Sequence, residues 1–561
     1  MKRCPECGRE YDNTMSFCLD DGAGLLYGPA APLREEGWSK AAVEGVDDPA
    51  TAVMAMFKAP ASGGWVNNEK TRLFQQEPSK QHPQSNNGAS IAVLPFKNIS
   101  ADPENEYFCD GLAEELLNAL AKIADLKVAA RTSAFSFKGR NSDVEEIARK
   151  LGVRTILDGS VRKVGDRIRI NVQLVDASNG YQLWSDRFDR VIDDIFDIQD
   201  EITSSVVETL KIQLLGEPAP KVRRATSNPE AYQLYLKGRY NWSKMEGDAL
   251  QRAVTYYHQA LDIDPNYALA YSGLSDAYVL LVNHRGAPFE QSIAMARAAA
   301  NKAIELDPEL AEAHTSLGLI NTFYDWDWEL SESSLRRAVE LNPNASHPIQ
   351  VLGIRMCLEG RFEEAKEFYR IAYELDPLSP SIAEHLGWPY YYGRDHERAI
   401  VEFRKAMAME PGFKNIYFRL GLAYIQAGMY GEAIEQMQAC QNISNDRDSV
   451  GWIGYIHGLK GEHDAAQELL RELEDISRER YIPPYCFAII YLGLGEVDEA
   501  FKWLEKAARE HDYWMIFIHV DPDLDRLRGD PRFDKLIELV GIPKPRSISI
   551  SKEPALGQGQ L

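Results

Sequence analysis

Residues 305–343, ELDPELAEAHTSLGLINTFYDWDWELSESSLRRAVELNP, decide the fold of the larger part of the chain. The phrase that opens and closes this stretch returns at a fixed interval: DIDP ending at Pro265, ELDP at Pro308, ELNP at Pro343, ELDP at Pro377 and AMEP at Pro411, with spacings of 43, 35, 34 and 34 residues. Two further registers keep the same period. Small residues stand at Gly318, Gly353, Gly387, Gly421, Gly454 and Ala488, and alanines seven apart at Ala253/Ala260, Ala296/Ala303, Ala365/Ala372, Ala399/Ala406 and Ala500/Ala507. A period of this length marks a stacked array of one supersecondary unit. Each unit reads as two helices: a small residue in the first lets the second cross closely, paired alanines in the second admit the next unit, and proline stops the pair.

This triple register resembles the tetratricopeptide repeat. With degenerate members at Ser275, Ser331, Cys440 and Leu473, about eight repeats and a C-terminal cap are expected over residues 230–541, with an insertion at 283–291 behind the 43-residue spacing. The resemblance implies an all-α solenoid with a concave groove for a protein or peptide. Positions two, five, nine and twelve of each first helix should face that groove. They are Glu312, Thr315, Leu319 and Thr322, then His347, Gln350, Ile354 and Cys357, then Ser381, Glu384, Trp388 and Tyr391, then Asn415, Phe418, Leu422 and Ile425. Glu384, Trp388, Tyr391, Phe418, Leu422 and Ile425 are the expected partner-binding residues, because exposed aromatic anchors dominate such interfaces. The competing reading is that the aromatics fill the inner surface between repeats.

Upstream, the pattern at 89–216 changes to alternating strand and helix. IAVLPF reads as a buried strand, and DGLAEELLNALAKIADL as an amphipathic helix with Asp110 as its N-cap. KVAAR is a second strand, and Asp143 to Gly152 bracket a second helix. Ile156–Val164, Ile168–Val175 and YQLWSDRFD form a meander, and IFDIQDEITSSVVETL closes an α/β sandwich. Arg131, Thr132 and Ser133, after a strand, could cradle an anion. The phrases IAVLPFKNISADPENEYFCDGLAEELLNAL, ARTSAFSFKG and LGVRTILDGSVRKVGDRIRINVQLVDASNGYQLWSDRFDR resemble the TolB amino-terminal-like domain, and YDWDWELSESSLRRAVELNP and VDPDLDRLRGDPRFDKLIELVGIP resemble the repeat array that accompanies it. In that family the pair sits behind cyclase, kinase or winged-helix domains. The resemblance implies a regulatory module, with no catalytic residues to carry over.

At the front, Cys4-x2-Cys7 and Cys18-x2-Asp21 place three thiolates and a carboxylate on two turns of equal spacing, a tetrahedral ligand set. Residues 1–26 thus resemble a zinc ribbon, with Asp21 where the family usually has cysteine. A structural Zn²⁺ is expected there, and a metal-free remnant is the alternative. Residues 27–88 and 217–229 read as linkers and 542–561 as a loose tail, with Thr71 in NEKTRLFQQ a candidate modification or docking site.

Seven cysteines, three of them clustered at the front, are not a disulfide framework, and no apolar run of membrane-spanning length occurs; the expected compartment is the cytoplasm. The 62 basic and 85 acidic residues give a net charge of −23, of which −15 lies in residues 217–561. That balance disfavours nucleic acid and anionic membrane as partners and favours a basic or apolar-basic peptide. No HExxH, GxSxG, Walker or kinase motif set occurs. The expectation is a non-enzymatic scaffold in signalling; the alternatives are a regulatory subunit in a nucleotide cyclase or kinase pathway and a transcriptional regulator.

Overall fold

The computed structural model describes residues 89–543 except 103–104, 124–125, 141, 192–193, 211–225, 245–246, 284–288, 445–447 and 479–480, and in the first 88 residues three two-residue strands. The chain divides into two units, residues 1–47 and 48–561. In the first, β1 (Lys2–Arg3) pairs antiparallel with both β2 (Glu10–Tyr11) and β3 (Leu26–Tyr27). Cys4, Cys7, Cys18, Asp21 and Thr71 lie outside the described residues, as do most of the two linkers and the tail.

The second unit opens with a six-stranded mixed sheet. β4 (Ala89–Val93) lies between β6 (Leu126–Val128) and β7 (Thr155–Val164), parallel to both; β8 (Arg167–Asp176) and β9 (Tyr181–Val191) extend it antiparallel, and β5 (Lys97–Asn98) pairs with β7. The parallel neighbours need crossovers, and α1 (Glu106–Ala121) supplies the one from β4 to β6. A short α2 (Arg131–Phe135), α3 (Val144–Leu151) and α4 (Ile195–Thr209) complete the domain. Asp143 accepts from the Glu146 amide at 2.7 Å and Gly152 ends α3 at φ 63°, the caps expected of these residues. Asp110 is not a cap: α1 begins at Glu106, and Asp110, a turn inside, is buried against Lys138 with Nζ 2.6 Å from Oδ2.

Eight helix pairs follow among the described residues. They are Pro229–Trp242 with Gly247–Ile263, Ala268–Asn283 with Phe289–Leu306, Ala311–Ile320 with Trp328–Leu341, and Ser346–Leu358 with Phe362–Leu375. Then come Pro380–His385 and Trp388–Tyr392 with His396–Met409, Lys414–Gln426 with Tyr430–Ser444, Asp448–Leu459 with His463–Ser477, and Pro484–Leu494 with Val497–Arg509. The fifth pair's first helix is split because Pro389 has no amide to bond back one turn.

The 34-residue period has a steric cause. A Cβ on Gly318, Gly353, Gly387 or Gly421 would stand 2.4–2.8 Å from Leu335, Tyr369, Phe403 or Met437 in the second helix of the same pair. The paired alanines are fully or almost fully buried. Past the eighth pair, short 3-10 turns at Tyr513–Phe517 and Pro522–Leu527 and a helix at Pro531–Val540 do more than cap the last repeat. They reach back to the third: His511 stacks on Trp326 with centroids 4.2 Å apart, and Trp328 Nε1 donates to the Val540 carbonyl at 3.0 Å. No helix among the described residues is long and apolar enough to cross a membrane.

Gly387→Ala should lower stability by about 1–3 kcal/mol, the overpacking cost of pressing a methyl into the Phe403 ring. Gly431→Ala, where a Cβ meets nothing within 4 Å, should leave it unchanged or slightly raised; thermal melts of the two variants check this.

Candidate functional site

The sixteen inner-face positions do not line an empty groove, because the chain fills much of it. Glu384, Trp388, Tyr391, Phe418, Leu422 and Ile425 were expected on an open surface, yet all six are at most 7% exposed. What covers this stretch is the 513–527 segment. Phe517 packs edge-on to Trp388 at 5.4 Å and stacks on Tyr392 at 5.6 Å, while Trp514 lies 5.3 Å from Phe418 and 4.7 Å from Trp452. Polar groups fix the same segment. Tyr485 Oη donates to Asp521 at 2.6 Å, Trp452 Nε1 donates to Asp523 at 3.0 Å, Gln426 donates to Asp523, and Arg394 Nε reaches Asp525 at 2.9 Å.

At the centre lies Arg419, one position beyond those assigned to the groove and missed for that reason. Its guanidinium stands 4.2 Å over the Trp388 ring and 5.3 Å from Phe517, and its Nε donates to Glu384 at 3.2 Å. Trp388 Nε1 donates to the same Glu384 oxygen at 3.0 Å, so one oxygen of that carboxylate holds two internal partners.

The α/β domain docks on the array at two turns between pairs and on the first pair. Ser133, with Thr132, receives an anion, while Arg131 turns instead to Glu114; the anion belongs to the chain: Asp376 of the ELDP turn before the fifth pair. Its Oδ1 accepts from the Ser133 amide at 3.0 Å and hydroxyl at 2.5 Å; Ser133 Oγ accepts from the Leu378 amide at 2.8 Å, and the Ala130 amide bonds the Leu375 carbonyl at 3.0 Å. One turn earlier in the array, Asn344 donates to the Ala121 and Leu126 carbonyls at 2.9 and 3.1 Å. In α1, Glu114 is gripped by Arg131 at 2.9 Å and by Arg239 of the first pair at 3.0 Å; burial opposes its charge, but the two guanidinia hold its carboxyl below the ordinary range. Glu115 has no such partners. Burial, then Glu114 and Glu312, push it up to about 7.

Beside the 513–527 segment a cavity of about 190 Å³ stays open. Its wall includes eight of the sixteen assigned positions: Leu319, His347, Gln350, Ile354, Ser381, Glu384, Trp388 and Asn415. Arg419, Phe323 and Tyr513 complete much of the rest, the last two stacked at 5.8 Å. Gln350 Nε2 donates to Ser381 at 2.8 Å, and His385 stacks on Trp388 at 4.2 Å. His347 is exposed at the cavity wall, and desolvation, then His385, bias it below the ordinary histidine range. Cys357 is fully buried and lines nothing.

Two family models match the chain: the second domain of HilA/YgeH-like transcriptional regulators over residues 87–205, and a tetratricopeptide repeat over residues 415–447. Among curated relatives, the Putative adenylate cyclase 3 of Rhizobium meliloti (strain 1021) is 37% identical over 257 residues, 46% of this chain and 44% of the relative. Transcriptional regulator HilA of Salmonella typhimurium is 21% identical over 318 residues, 55% of each chain. The chain thus spans about half the length of the curated relatives it matches. Among solved structures, the APC/C hetero-tetramer Cut9-Hcn1 aligns over 54% of each chain at 18% identity with a TM-score of 0.38. PilW, a type IV pilus biogenesis factor, aligns over 37% of this chain and 92% of its own at 19% identity with a TM-score of 0.32. Residues 87–205, which hold the sheet, are thus similar to the second domain of these regulators, and residues 415–447 of the helical array match a tetratricopeptide repeat.

Asp376→Ala strands the buried Ser133 donors and should cost about 2–4 kcal/mol, read as a lower melting temperature together with faster exchange of the Ser133 and Leu378 amides. Glu115 gives a pH test. Its folded pKa lies above the ordinary glutamate value of about 4.3, so the folded state holds the extra proton and stability falls as pH rises from there through about 7. Glu115→Gln should remove that loss and melt higher than the parent chain at alkaline pH.

Proposed function

We propose that this chain is a non-enzymatic protein-interaction scaffold of a signalling pathway, and that it reads its partner through the open cavity on the inner face of the array. The cavity carries the reading. It combines an aromatic floor, Trp388 and Tyr513, with hydrogen-bonding groups, His347, Gln350 and Asn415, in a space suited to one or two partner side chains. The −15 charge of residues 217–561 adds a long-range pull on a basic or apolar-basic peptide, consistent with the expected partner.

A second reading has support from the relatives. One is named an adenylate cyclase and another a transcriptional regulator, and each shares about half its length with this chain. Proteins with different outputs that share such a segment have in common a sensing or relay part, so a regulatory role beside a cyclase or a transcription factor fits the TolB-like reading of residues 89–216. In this proposal the protein acts in the cytoplasm, and Cys4, Cys7, Cys18 and Asp21 hold one structural zinc.

A photo-crosslinking residue at Asn415, in the host cell, should give a discrete partner adduct that the same residue at the outward-facing, exposed Leu330 does not. Adducts at Leu330 alone, or cyclase or kinase turnover by the purified chain, would overturn the scaffold reading. The full chain should carry about one zinc, and Cys18→Ser should lose it, by elemental analysis.

A further inference from the structure

The strands β7, β8 and β9 are 10, 10 and 11 residues long, and their two faces differ. One face holds Leu157, Val161, Ile168, Ile170, Val172, Leu174 and Phe188 and packs into the main core. Every residue of the other face from Asp158 outward is exposed or half-buried. The strand register sets Arg162 opposite Arg169, Arg169 opposite Asp189, and Arg167 and Arg187 on the rows to either side.

This face runs against the charge of the protein. Arg167, Arg169 and Arg187 share the single carboxylate of Asp189, at 3.7, 2.6 and 3.5 Å, which leaves two positive charges uncompensated. Arg162 adds a third directly across from Arg169, a like-charge pair that costs sheet stability. Asp158 is the one other acid on the face, so it is net positive in a chain of net charge −23. Beside it, β9 pairs on one side only among the described residues, so its outer edge offers unpaired backbone donors and acceptors. Tyr181 is 74% and Leu183 44% exposed on that strand.

We propose that this edge and face bind an acidic, extended segment of a partner protein, added as a further strand beside β9. Side chains of an added strand alternate between faces. Its acidic positions would lie beside Arg187, with Arg169 and Arg167 one strand further in, where Asp189 cannot satisfy three guanidinia. Its intervening apolar positions would continue the core face past Trp184 and Phe188. The backbone edge supplies affinity and the arginines select for acid. This surface is independent of the cavity in the helical array.

A fluorescein-labelled heptapeptide of alternating Glu and Val, titrated into the full chain, tests it by anisotropy. Saturable binding below about 1 mM is expected, falling about tenfold or more when salt is raised from low to physiological strength, and in Arg162→Glu and Arg187→Glu. Melting temperatures of the variants separate lost binding from lost folding. Hydrogen exchange should slow for amides of residues 181–191 and stay unchanged in 414–426. No saturation at that concentration, equal binding of a Lys-Val peptide, protection elsewhere than β9, or tighter binding of a single-stranded oligonucleotide to the same arginines would each overturn the proposal.

Discussion

The carboxylate of Asp376 joins two architectures that have no periodicity in common. It belongs to a repeat turn, yet its hydrogen bonds go to the first residues of a helix in the sheet domain, two and a half hundred positions earlier. A buried acid is costly unless its lone pairs are satisfied. Here burial pushes the carboxyl up while the Ser133 hydroxyl and amide oppose that shift, so the contact that buries the acid also supplies its hydrogen bonds. With Asn344 capturing two carbonyls at the edge of α1, and Arg239 capturing Glu114 within it, the first helix of the sheet domain is held against the array.

The repeats were readable because their physics is local and recurring: glycine under a facing side chain, alanine at the next contact, proline at the stop. The caps of α3 were readable for the same reason, since Asp143 and Gly152 act within one turn of where they stand. Of the anion cradle expected at Arg131–Ser133, Thr132 and Ser133 take a carboxylate while Arg131 goes to Glu114, and nothing local shows that the carboxylate would come from residue 376. The groove aromatics show the limit most plainly. Trp388 and Phe418 sit in the register that faces inward, but whether that face is wet depends on Trp514 and Phe517, about a hundred residues away and outside the repeat pattern. Period and propensity carry no information about such a return of the chain, nor that the acidic run Asp521, Asp523 and Asp525 would be drawn into it.

That run also changes the meaning of the acidic surplus. Several carboxylates of the array face inward to protein rather than outward to a partner. Burial pushes Asp276 up to about 6 and Asp512 up to about 7, and drives Asp523 well above the ordinary range with Asp521 adding to the effect. The field that an approaching peptide meets is therefore weaker than the formal count of −15 suggests, and it comes from the outer helices.

Stacked repeats ordinarily tolerate the gain or loss of a unit, because each touches only its neighbours. This array has surrendered that freedom over part of its length. Arg239, Asn344 and Asp376 lie in the first pair, before the fourth and before the fifth, and all three must meet one rigid sheet domain at once. Adding or deleting a unit between them would carry Asp376 a full repeat away from Ser133. The number of repeats in that interval is thus set by the domain they hold, and length variation among proteins of this architecture should fall elsewhere in the array.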